Sequence, residues 1–306
     1  MRILYSLDML IGGQEKKYIQ EKTKEKGYIT PEDIASDEIL SILLAIRQAE
    51  REGREAKIEE LKKTLEKRLT TVEHVSKISE KFSDIEYEPE GEVKIEKENF
   101  DVNFSYQEIS DEDFKILQEN FSIEGFVKED LRELTSFNLK EKLTNEKIDL
   151  MALLPSGYKV YFWTHGLPES SGANFDVKRI FMGSDLNSPL AIYVALHEIG
   201  HCVDFERLND AEKKIVDEAF VNYVSATEGI VEEVPEKETK QPPLTDKDLS
   251  QIILRERNAH AFALRKFHSF IKPLGIDDEV LRNTLVHGGA LRSYAKTVVE
   301  ELNKLS

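Results

Sequence analysis

Apolar positions recur at helical spacing early in the chain. Ile34, Ile39, Leu40, Leu43, Leu44 and Ala45 follow Thr30-Pro31-Glu32-Asp33, and Ile58, Leu61, Leu65 and Leu69 form a second series beyond Gly53. A capping threonine, a first-turn proline and two acids at the positive end of the helix dipole are start signals, so the two series predict a helical hairpin. The period then changes to two. Residues 92–96 and 100–104 alternate apolar with polar around Lys97-Glu98-Asn99 and predict a β-hairpin with one buried face. Ser110, followed by Asp111, Glu112 and Asp113, is another helix start, and short helical pieces are expected to continue to about residue 150.

From Tyr158 the pattern changes again. Residues 158–163 and 177–182 are rich in aromatic and β-branched side chains and predict strands, joined by a Gly/Ser/Asn loop at 165–176. Ser188-Pro189 caps a helix through Phe205, and the uncharged stretch Leu190 to Leu196 predicts that this helix is buried. Residues 231–248 combine prolines with many charges and read as an exposed linker, Thr245 caps a helix over 246–271, and a last helix pair is expected over 278–304 around His287-Gly288-Gly289. The sum is an α+β chain. Residues 1–135 are expected to form a mainly helical N-terminal region carrying the hairpin, and residues 136–306 a second domain holding the chemistry.

Charge and composition remove several function classes. Lys and Arg number 42 against 59 Asp and Glu, a formal charge of -17, which opposes the phosphate neutralisation that nucleic-acid binding requires, and anionic membranes are equally disfavoured. There is neither a long apolar run nor a phosphate-binding glycine motif. The single cysteine, Cys202, excludes an internal disulfide and is expected to be a buried apolar residue; with no leader pattern at the start, a cytoplasmic location is expected.

His197-Glu198-Ile199-Gly200-His201 is HExxH on the predicted buried helix. A spacing of four puts both imidazoles on one face within reach of one ion, with Glu198 beside them. In that pattern two neutral imidazoles bind Zn2+, one ion per chain, water is activated near neutral pH, and the glutamate acts as general base toward a carbonyl. A catalytic zinc needs a third protein ligand and an open position. Asp204 and Arg207 stand where HExxHxxGxxH would have Gly and His, so the chain is not a metzincin and the third ligand must lie further on. Glu256, 55 residues beyond His201 on the capped helix, is one candidate, and His260 one turn later could support or replace it. Asp204 could accept the free N–H of a ligand imidazole.

HEIGHCVDF at 197–205, followed by Glu256, Ala259 and Phe262 in the pattern E-x-x-A-x-x-F, resembles the catalytic domain of anthrax lethal factor and its relatives, the Pro-Pro endopeptidases among them. Gly166-Leu167-Pro168-Glu169-Ser170 is similar to that family's approach to its active-site edge strand, and the likeness covers residues 155–270. It implies a zincin-like domain, a small mixed sheet with active-site helices, in which His197, His201 and Glu256 hold the zinc. It also implies a gluzincin-like endopeptidase whose protein or peptide substrate pairs with the strand at 177–182. The family's oxyanion-steadying tyrosine has no counterpart, since Leu249 stands seven residues before Glu256; by chemistry Tyr223, His165 and His260 are candidates for that role. The N-terminal region would then recognise substrate or partner. Two other readings are a regulatory protease like those that cleave phage repressors, and a binding protein that keeps a zincin scaffold without turnover.

Overall fold

The computed structural model describes residues 53–63, 80–82, 84–121, 127–165, 171–228 and 245–276. Of these, residues 53–63 fall in one compact unit and the residues from 80 to 275 in a second. In the first unit residues 55–63 are helical, with Ile58 and Leu61 less exposed than their neighbours, as the apolar series predicts. The helix expected before Gly53, the linker up to residue 244, the stretch 166–170 and the last helix pair lie outside the described residues.

The second unit is a mixed α+β fold around a seven-stranded sheet, ordered β1-β2-β3-β5-β7-β6 with β4 paired to β3. The hairpin forms as its alternation predicts: β1 (Gly91–Glu96) and β2 (Phe100–Glu108) are antiparallel, with Val93 opposite Phe104 and Ile95 opposite Val102, and these four side chains are buried. Next to β2 lies β3 (Leu131–Glu141), where short helices were expected. The reason for the difference is a bulge. Leu134 pairs with Tyr106 but Ser136 with Ser105, so Thr135 is an extra residue, and Leu134 and Phe137 share a face at a spacing of three rather than two. An apolar spacing of three reads as helical in sequence.

Residue 135 therefore lies inside a central strand, and the boundary expected there is not one. The hairpin assigned to the N-terminal region belongs to the same sheet as the later strands β4 (Lys147–Asp149), β5 (Lys159–Trp163), β6 (Gly172–Asn174) and β7 (Arg179–Met182). The strand expected at 177–182 is an interior strand too. β7 pairs in parallel with β5 on one side and antiparallel with β6 on the other, so among the described residues β6 forms that edge of the sheet.

Helix α1 (Asp111–Asn120) covers one face of the sheet. Its Leu117 packs with Ile109, Leu131, Tyr161 and Phe181, a fully buried cluster flanked by Phe114, Phe121 and Trp163. On the far side of the bulge, Phe104 stacks on Phe137, and Phe162 meets Phe104 and Tyr106 edge-on. A short helix, α2 (Leu150–Leu153), is capped by Asp149. Three longer helices follow: α3 (Pro189–Glu206), α4 (Asp210–Glu228) and α5 (Asp246–Ile271), with α3 packed on β6, β7 and α5. Among the described residues no helix is long and apolar enough to cross a membrane.

One buried carboxylate fixes α1 to the sheet. Asp113 accepts hydrogen bonds on Oδ1 from Arg179 Nε at 2.9 Å and Nη2 at 2.7 Å, and on Oδ2 from Lys159 Nζ at 3.0 Å and Ser110 Oγ at 2.9 Å. Burial alone would raise the pKa of this carboxyl, but the bonds from Lys159 and Arg179 outweigh it and hold the pKa at about 2. A folded-state pKa below the unfolded one means that the stabilisation is fully present above about pH 4 and is lost as pH falls through about 2. Wild type is therefore expected to exceed Asp113→Asn by on the order of 2 kcal/mol near neutral pH, a gap that closes on acidification through that window in denaturant unfolding. A gap that stays constant between pH 4 and pH 2 would show that the charge on Asp113 is not what stabilises α1.

Candidate metal centre

The site forms where α3 crosses α5. Ser188 starts α3, its hydroxyl accepting from the Ala191 amide at 3.0 Å with Pro189 in the first turn, and the uncharged segment that follows is almost wholly buried. α5 begins with a capping box in which the Thr245 and Asp248 side chains each accept the other's amide, and it runs over the residues expected. Glu256, Ala259, His260, Ala263 and Phe267 recur at helical spacing along the face of α5 turned toward α3. Gly200 permits the crossing. A Cβ placed there would stand 2.9 Å from the Ala259 carbonyl oxygen and 3.0 Å from its Cα, contacts with backbone that cannot swing aside.

This approach brings Glu256 onto the two HExxH imidazoles. His197 Nε2 and His201 Nε2 are 3.0 Å apart, Glu256 Oε2 is 3.4 Å from the first and Oε1 3.4 Å from the second. Donor atoms held tetrahedrally around a zinc ion at about 2.0–2.1 Å stand about 3.3 Å from one another. Two imidazole nitrogens and a carboxylate at the observed separations therefore fit a single divalent ion. His260 joins the cluster, one donor atom each from His197, Glu256 and His260 lying within 4.8 Å of one another.

Comparison of the chain with protein-family models, with characterised proteins and with solved structures gives no match.

Electrostatically the cluster is a buried set of charges that hold one another in place. Burial would raise the pKa of the Glu256 carboxyl, but His201 and His197 keep it well below the usual carboxylate range. Burial would lower the pKa of the His201 imidazole; Glu256 overrides this and lifts it to about 9. Glu198 is buried with 8% of its surface exposed, and burial raises its pKa, opposed by His197 and His201 and reinforced by Glu256. His260 is lowered to about 3 by burial and by the neighbouring His197. The centre thus holds pairing that a cation would satisfy: carboxylates and imidazoles converging where each is largely removed from solvent.

Asp204 does not accept from a ligand imidazole. Its carboxylate instead receives Arg255 Nη1 at 2.6 Å and Asn258 Nδ2 at 3.0 Å, the residues on either side of Glu256, and so clamps the turn of α5 that carries Glu256 to α3. Of the residues considered for an oxyanion, His165 is exposed and lies 3.6 Å from Asp130, His260 is in the cluster, and the Tyr223 side chain lies outside the described residues. Cys202 is fully buried, and burial pushes its thiol up, with Glu198 and Glu206 adding to the shift, as befits a packing residue. Tyr193 was not singled out from sequence. Its hydroxyl is 3.2 Å from His260 Nδ1, and its position one turn before His197 on the same helix face was the available signal.

The close crossing yields a prediction. Gly200→Ala gains up to about 1 kcal/mol of helix propensity, but forcing a methyl against the Ala259 backbone costs about 1–3 kcal/mol, so the variant is expected to be less stable and to displace Glu256. Divalent-metal affinity should fall by at least about tenfold, measured by chelator competition beside urea unfolding. Wild-type affinity with an undiminished unfolding midpoint would contradict the crossing as described.

Proposed function

We propose that the chain is a zinc-dependent endopeptidase of gluzincin type, with a zincin-like catalytic fold resembling that of lethal factor and the Pro-Pro endopeptidases. His197, His201 and Glu256 hold the zinc and Glu198 is the general base. The observation that carries this reading is the convergence of a carboxylate from α5 on both HExxH nitrogens, each contact at 3.4 Å, from a position 55 residues beyond the motif. Zinc in such a set supplies Lewis acidity, which activates water near neutral pH and polarises a scissile carbonyl. The remaining chemistry belongs to the chain. Glu198 follows His197 directly and is buried, so its carboxylate is kept out of bulk water and its pKa is raised, which suits a group that takes a proton and returns it to a leaving amine.

A protein or peptide substrate has an edge to pair with. Among the described residues β6 is the outer strand beside α3, and an extended segment added there would gain main-chain hydrogen bonds. This moves the proposed substrate contact from residues 177–182 to the edge at Gly172–Asn174. The formal charge of -17 disfavours nucleic acid and anionic membranes as partners, which also weakens the repressor-cleaving alternative.

Metal analysis and a peptide-library cleavage assay test the proposal together. Wild type should carry about one zinc per chain, Glu256→Ala should lose it, and Glu198→Gln should keep it while cleavage falls by about 10²–10⁴-fold. A protein that takes up no zinc on reconstitution refutes the assignment. Stoichiometric zinc without cleavage of any library peptide would favour a zincin scaffold used for binding.

A further inference from the structure

His260 is the histidine of this cluster that the proposed ligand set leaves unused. Only 6% of it is exposed, and its Nε2 is buried without a hydrogen-bond partner. An unpaired buried imidazole nitrogen is unfavourable unless something satisfies it. Here the ring lies against His197, with centroids 4.2 Å apart, and it offers a donor atom within 4.8 Å of those of His197 and Glu256.

The other ring nitrogen points to what satisfies it. A metal-bound histidine characteristically hands its distal N–H to a fixed acceptor, which sets the tautomer and leaves the near nitrogen unprotonated. His260 has that support, since Nδ1 stands 3.2 Å from the buried Tyr193 hydroxyl. His197 lacks it, its Nδ1 being buried and unpartnered. By this criterion His260 is better prepared to bind a metal than one of the two motif histidines. In the tautomer whose Nδ1–H donates to the Tyr193 oxygen, the buried, unpartnered Nε2 carries a free lone pair.

Building on the zinc-peptidase reading, we propose that His260 is a fourth protein donor to the same metal, so that three imidazoles and the Glu256 carboxylate close its coordination shell in the resting protein. A shell of four protein donors leaves no open position for water, the arrangement of a structural rather than a catalytic zinc site. His260 would then act as an internal occupant of the position that a substrate must take, held by Tyr193.

X-ray absorption at the zinc edge of the full-length, zinc-reconstituted chain counts the bound imidazoles directly. Three in wild type are expected and two in His260→Ala. The zinc affinity of His260→Ala, from chelator competition, should fall by more than the roughly 100-fold upper range for loss of a supporting partner, whereas Tyr193→Phe should stay within about 10–100-fold and keep all three imidazoles. Two imidazoles in the wild-type protein, or a loss of affinity in His260→Ala no larger than that of Tyr193→Phe, would overturn the proposal while leaving the ligand set His197, His201 and Glu256 standing. The wild-type count needs no variant to fold, and only an absence of bound zinc would bring down both readings at once.

Discussion

HExxH gives one helix two imidazoles and a carboxylate, which is not enough to hold an ion selectively, and everything further depends on how closely a second helix can approach. α3 and α5 meet backbone to backbone at Gly200, where Ala259 leaves no room for a Cβ. Glu256 and His260 lie less than one turn to either side of that contact, so the distance between the helix axes there sets the distance of both side chains from His197 and His201. Asp204 adds direction to proximity. By holding Arg255 and Asn258, it prevents α5 from rotating or sliding in a way that would turn Glu256 away. A chain with the same motif but a bulkier residue at position 200 would keep its histidines and lose the close approach of Glu256 to them.

That geometry carries an electrostatic cost which explains its composition. Glu198 and Glu256 are two carboxylates with little solvent around them, Glu198 buried and Glu256 mostly so, and ionised carboxylates are tolerated there only when paired. Without a cation the pairing comes from protons, which is why Glu256 lifts the His201 imidazole to about 9. A divalent ion does the same work with two charges and displaces those protons, so metal uptake should be linked to proton release. The acidic surface of the chain contributes little at this range, because exposed charges beyond about 10 Å are screened at physiological salt. Metal preference is therefore decided by the few buried groups and not by the net charge.

The legibility of the molecule from sequence followed the same division. His197, Glu198 and His201 were readable because a spacing of four is a statement about one helix, and α5 was readable end to end because Thr245 and its capping partner mark its start. Glu256 was different. Only the resemblance raised it above the other acids of the chain, since no local rule shows which Glu a second helix will deliver. Strand β3 escaped because Thr135 shifts the apolar phase, and β6 escaped because Gly172-Ala173-Asn174 has no β-forming residue and pairs only through its backbone. Missing β6 made β7 look like an edge, and missing β3 placed a domain boundary in the middle of the sheet. The clamp formed by Asp204 and the Tyr193–His260 pair both cross between helices far apart in sequence, which is the kind of contact that periodicity cannot supply.

The sheet and the site are joined at the C-terminal end of α3. Glu206 accepts from Tyr158 Oη at 3.3 Å and Lys213 Nζ at 3.1 Å and pairs with Lys178 at 3.2 Å, so the residues just before β5 and β7 and the start of α4 all converge on the last turn of that helix. Two lysines at this end also oppose the partial negative charge of the helix C-terminus. Phe205 stacks on Phe175, centroids 4.2 Å apart, and Phe175 directly follows the edge strand β6. The edge on which a substrate strand would pair is thus tied to the helix that carries both motif histidines. For the proposed peptidase this matters more than either part alone, because a displacement of about 1 Å between a bound segment and the proposed catalytic groups would cost on the order of 100-fold in rate. An aromatic stack one residue beyond the edge strand is a short and stiff link with which to keep that distance.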